Sequence, residues 1–120
     1  MLGVRAPLDI AADENGMVLP GTGGMSVAPE WSALPPHRIP RRLRSYTGLS
    51  AATGSNATHI SRIGDGPFVG SAVSSGLFLR IDANDSRHGL VEPDAIMQLL
   101  NYRERLAATR NAWVIDEPMI

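Results

Sequence analysis

One segment near the C-terminal end dictates its own conformation. "PDAIMQLLNYRERLAATRNAW", residues 93–113, sets Leu99, Tyr102, Leu106, Thr109 and Trp113 three and four apart in alternation, on one side of a helix. Asn101, Glu104, Arg105 and Ala108 fall away from that stripe. Pro93 and Asp94 suit a helix N-terminus, and Pro118 stops any continuation. The spacing predicts an amphipathic helix over 93–113 with its apolar stripe packed into a core.

Nothing upstream has that period. "LGVRAPLDI" fits one short edge strand, because Pro7 cannot donate to a central ladder. Residues 16–36 alternate short apolar pairs with Gly and Pro, the pattern of turns and brief strands. "PPHRIPRRLR", residues 35–44, sets four arginines among prolines and reads as an extended, exposed basic strip. Residues 45–75, rich in Ser, Gly and Ala, read as a long irregular loop with short strands near 58–63 and 67–73. "GLFLRID", residues 76–82, is the clearest strand, since Leu77, Leu79 and Ile81 alternate with Phe78 and Arg80. "NDSRHG" should break it, with "LVEP" able to begin a further strand. The expected fold is α+β: a small, curved, mostly antiparallel sheet of short strands, with the C-terminal helix packed on it, in a single domain over 1–120.

Composition excludes several function classes. The 120 residues are 43 % hydrophobic and 19 % charged, as in a globular chain, and the net charge of −1 is wrong for a protein that coats nucleic acid. Sequence-specific nucleic-acid binding is not expected. There is no cysteine, so no disulfide, thiolate nucleophile or Cys-based zinc site. All eleven basic residues are arginine, which removes Schiff-base lysines and lysine-dependent phosphate loops. The first residues lack the apolar run of a secretory leader, and no stretch has the length of a membrane helix. A cytoplasmic protein, or one exported without a cleaved signal, is expected.

"LPGTGGMSVAPE", residues 19–30, imitates several motifs and satisfies none of them. A Walker-type loop needs a lysine. A dinucleotide fingerprint opens a helix, whereas prolines follow here. The sortase-like letters of 19–23 sit far from the C-terminal end such signals need. What remains is a glycine corner whose N–H groups and hydroxyls either hold an anion or simply join two strands. His37, His59 and His88 lack zinc spacing, so no metal site is expected. In "RHGLVEP", His88 and Glu92 are four apart, and Glu92 reads as a carboxylate just before a helix start.

Two blocks together resemble a known family. "NGMVLPGTGGMSVAPEW" with "LPPHRIPRRL", and "RHGLVEPDAIM" with "YRERLAATRNAW", are similar to small bacterial proteins related to a type VI secretion effector toxin with an ADP-ribosyltransferase-like fold. The match covers roughly half the chain, in the same order. The resemblance implies transfer of ADP-ribose from NAD to an unidentified macromolecular target, or a degenerate relative of that activity. A neutralising immunity or antitoxin protein is the partner it implies. Thr22 and Ser26 would then orient the ribose, with the backbone of Gly23 and Gly24 near nicotinamide. Arg5, or an arginine of the strip such as Arg41, would face the diphosphate. His88 and Glu92 would be the polar partners, the carboxylate being assigned from the chemistry of an oxocarbenium-like transition state rather than from the family's pattern. The alternative is a non-catalytic module whose arginine strip binds an acidic protein or a nucleotide.

Overall fold

In the computed structural model, residues 2–3, 9–10, 12–64 and 67–118 are described. Among the described residues, ten short strands run in chain order: β1 (Leu2–Gly3), β2 (Asp9–Ile10), β3 (Met17–Val18), β4 (Gly23–Val27), β5 (Ser61–Ile63), β6 (Ser71–Ser74), β7 (Leu77–Asp82), β8 (Asp85–Pro93), β9 (Met97–Gln98) and β10 (Trp113–Ile115). An α-helix, α1, spans Leu99–Ala108. The protein is an α+β fold of antiparallel sheets with this helix packed on them.

The main sheet has the order β2-β4-β8-β7-β6. Its centre is the β7–β8 hairpin, with Leu79 opposite Val91 and Arg80 opposite Leu90. β4 lies on the other side of β8, with Ser26 opposite Leu90. Inward-facing Met25, Val27, Leu77, Leu79 and Val91 meet Val18 and Tyr102, and Leu99, Leu106 and Trp113 complete that cluster. The period-3.6 stripe and the period-2 strands thus bury their apolar sides against each other. The Tyr102 hydroxyl donates to Val91 O across this contact. Burial pushes the phenol up to about 12, so it stays protonated as a donor.

Several expectations are corrected. The helix does not begin at Pro93. β8 runs through Pro93, which is buried at the strand end where its missing N–H costs little. α1 starts six residues later, after β9 pairs with β3, and the Leu99 N–H is taken by Gly16 O at 2.9 Å. It ends at Ala108; a 3-10 turn, Arg110–Ala112, leads into β10, so Trp113 lies beyond the helix. "NDSRHG" does not end strand structure, because Asp85–His88 is the outer half of β8. The N-terminal segment gives two strands in different sheets instead of one, while Arg5 and Pro7 lie outside the described residues.

The basic strip is not extended. Pro36–Arg38 and Arg41–Leu43 are 3-10 turns, each begun with the help of a proline's fixed φ, and Ile39 and Leu43 are buried. Nor are residues 45–60 a loose excursion. Ala28, Leu34, Ile39, Leu43, Leu49, Ala52 and Ile60 form a second hydrophobic cluster, against which Trp31 and Tyr46 pack. The expected strands at 58–63 and 67–73 shorten to β5 and β6.

Candidate functional site

The face of the main sheet that turns away from α1 gathers polar groups. On β7 the buried Leu77 and Leu79 alternate with Phe78, Arg80 and Asp82; on β8 the buried Gly89 and Val91 alternate with His88, Leu90 and Glu92. Ser26 of β4, between buried Met25 and Val27, faces the same way opposite Leu90. Three neighbouring strands therefore present Ser26, His88, Glu92, Arg80, Asp82 and Phe78 together.

Ser26 and His88 come from opposite ends of the chain and meet here. Ser26 Oγ lies 3.5 Å from His88 Nε2, and His88 Nδ1 lies 3.5 Å from Asp82 Oδ2. Both separations are at the outer limit of hydrogen bonding. Asp82 is fixed more firmly, accepting the Asn84 N–H at 2.8 Å. That backbone bond holds the Asp82 carboxyl below the usual range, with His88 contributing in the same direction.

Glu92 lies two residues beyond Leu90, the next position on the same face, and its carboxylate is covered. Its Oε2 accepts the Gly21 N–H at 2.8 Å and the Arg80 Nε–H at 3.0 Å. It is therefore a clasp between the glycine corner and the sheet, positioned by strand register and not by a helix start. Arg80 spends only Nε on this contact and is 41 % exposed, which leaves its terminal nitrogens open to an anion.

The glycine stretch divides into a corner and a strand. Leu19–Thr22 is the turn, where Gly21 has φ +83 and the Thr22 hydroxyl donates to Leu19 O at 2.6 Å. Gly23 and Gly24 already belong to β4. Gly24 is there for packing, since an added Cβ would run into Val91 O and lie 3.3 Å from the Tyr102 hydroxyl. Of the residues picked out in the sequence, Ser26, His88, Glu92, Thr22 and Gly23 share one neighbourhood. Arg41 does not: it sits exposed on the second cluster, with its N–H on Gly54 O. Arg5 lies outside the described residues.

Compared with known proteins, the chain matches no family model, no curated sequence and no solved structure.

Arg80 and Asp82 were not among the sequence candidates. The signal for them was the alternation in "GLFLRID", which puts residues 78, 80 and 82 on the side opposite the leucines. Two of the strip's four arginines are committed to the fold. Arg42 bonds Thr58 O at 3.1 Å and Glu117 Oε2 at 2.5 Å, and Arg44 bonds Ala52 O at 2.6 Å. A groove of about 630 Å³ lies on the helix side of the sheet, lined by Ile63, Val73, Ser75, Arg105 and Ala108, away from Ser26 and His88. Among the described residues, no helix is long and apolar enough to cross a membrane.

Proposed function

We propose that this chain is an ADP-ribosyltransferase-like protein of the bacterial toxin kind, and that the sheet face around Ser26, His88 and Arg80 is its NAD site. One observation carries the reading. The two sequence blocks behind the resemblance, with Ser26 and His88 sixty-two residues apart, pair as adjacent strands and bring their polar residues onto one face.

The residues present fit the parts of a dinucleotide. Ser26 is a half-buried hydroxyl for a ribose, Arg80 a half-exposed cation for a diphosphate, and Phe78, 37 % exposed, a flat apolar surface for a base. Arg80 takes over the place that the resemblance implied for Arg5 or Arg41. Bound NAD supplies a glycosidic bond whose cleavage develops positive charge on the ribose. On this face Ser26 binds and orients, Arg80 offsets the diphosphate charge, and Glu92 acts by holding Arg80 and the Gly21 corner in place. A neutralising protein would act by covering the same face.

The non-catalytic alternative loses support because Arg42 and Arg44 are bound internally, which leaves Arg38 and Arg41 to carry it.

The test is NAD titration of the purified chain and its Ser26→Ala variant, together with tightly controlled expression of both in a bacterial host. Saturable NAD binding and growth arrest, both lost in a folded Ser26→Ala variant, are expected. Harmless expression with no NAD binding overturns the proposal.

A further inference from the structure

His88 connects two strands through its two ring nitrogens. Nε2 faces Ser26 Oγ on β4 and Nδ1 faces Asp82 Oδ2 on β7, each at 3.5 Å. Asp82 cannot swing freely, because its other oxygen accepts the Asn84 N–H at 2.8 Å. An ionised carboxylate only accepts hydrogen bonds, so the nitrogen facing it must carry a proton. In a neutral imidazole the other nitrogen is then the acceptor, and the Ser26 hydroxyl is the donor that faces it.

We propose that Asp82 is a positioning residue of this site, holding the proton on His88 Nδ1 so that Nε2 is left as the acceptor for the Ser26 hydroxyl. With its own proton directed at Nε2, the Ser26 Oγ turns its lone pairs outwards as an acceptor for a ligand hydroxyl. The other charged groups nearby are Arg80 on β7, Asp85 at the start of β8 opposite Asp82, and the Arg87–Glu30 ion pair, 2.7 Å, which links β8 to the segment after β4. None of them is seated on either ring nitrogen, which leaves Asp82 to select the tautomer. The inference rests on Ser26 and His88 forming one functional site, as proposed above, and does not depend on the ligand being NAD.

The experiment is ¹⁵N NMR of the His88 ring in the full chain, at a pH high enough that the ring shifts no longer change with pH, in the wild type, Asp82→Asn and Ser26→Ala. Asp82 is 39 % exposed, so the asparagine variant should fold, and the amide spectrum of the rest of the chain checks this. Wild type and Ser26→Ala should carry the proton on Nδ1. In Asp82→Asn the amide oxygen keeps the Asn84 N–H and the amide nitrogen turns to His88, donating to Nδ1. The ratio of Nδ1–H to Nε2–H should then fall about two- to tenfold, the span of one hydrogen bond. A wild type dominated by Nε2–H, or a ratio indifferent to Asp82→Asn, overturns the proposal. NAD titration of the same samples separates the two readings. NAD binding with an indifferent tautomer removes the positioning role of Asp82 alone, whereas an Asp82-dependent tautomer without NAD binding sustains that role and removes the ligand.

Discussion

Replacing Glu92 tests whether the glycine corner is held by one carboxylate. Its Oε2 takes both the Gly21 N–H at 2.8 Å and the Arg80 Nε–H at 3.0 Å, on a side chain only 6 % exposed. A hydrogen bond to a charged group is worth about 1.5–3 kcal/mol, and Gly21 itself is exposed, so the low end, about 1.5, applies to its bond. Arg80 is 41 % exposed and finds water when released, which limits its share to about 0.5–1 kcal/mol. Glu92→Ala should therefore cost about 2–2.5 kcal/mol, which in a domain of this size lowers Tm by about 8–10 °C. Glu92→Gln keeps one acceptor oxygen and should cost about half as much. Thermal melts read the cost, and amide exchange at Gly21 locates it, since that N–H should lose protection in the alanine variant. An alanine variant that melts within about 2 °C of wild type, with Gly21 exchange unchanged, would refute the clasp. A glutamine variant that keeps its Tm but loses NAD binding would show a role beyond holding the corner.

Other parts of the fold can be probed in the same way. Tyr102→Phe removes the buried hydroxyl's bond to Val91 O and should lower stability by about 0.5–1.5 kcal/mol in urea melts. The same phenol titrates near 10 when unfolded and about 12 when folded, so stability should fall as pH rises between those values, and Tyr102→Phe should lessen that loss. Gly54→Ala would set a Cβ 2.6 Å from Ile39 O and 2.9 Å from His37 O, both backbone atoms, and should cost about 1–3 kcal/mol by chemical denaturation. At Glu117, burial pushes the carboxyl up, but Arg42 and His59 outweigh it and leave the pKa below the ordinary range. Its contribution is present above the unfolded value and lost as pH falls through the folded one, so Glu117→Gln should flatten an acid step in tryptophan fluorescence. Identical acid profiles for the two proteins would contradict this.

What the sequence disclosed depended on whether a residue's role was local. The α1 stripe and the 77–82 alternation are periodic, and period survives any tertiary context that buries one side. The start of the helix was not legible, because Pro93 and Asp94 look alike at a helix N-terminus and at the end of a strand. β8 was hidden by its polar outer half: Asp85, Ser86 and Arg87 resemble a loop until Asp82 and Ile81 are known to lie across from that strand. The second cluster has no period at all, since Leu34, Ile39, Leu43 and Leu49 are brought together by successive 3-10 turns. Within the site, Ser26, His88 and Glu92 stood out in motif-like surroundings. Arg80 and Asp82 did not, because their meaning lies in cross-strand neighbours.

The segment after β10 sets an order on folding. Trp31 Nε1 donates to Asp116 O at 2.9 Å, Arg62 Nε to Asp116 Oδ2 at 3.1 Å, and Glu117 receives Arg42 and His59. These bonds tie the second cluster to residues as many as eighty-five positions further along. During synthesis, Trp31 to Ile60 emerge long before Asp116 exists, so the cluster first collapses without its fastening and with its indole N–H facing water. It can lock only when the last strand has been made. Chaperone contact before that moment should concentrate on Trp31 and Tyr46, and a ribosome-stalled chain ending before residue 116 should expose them to protease.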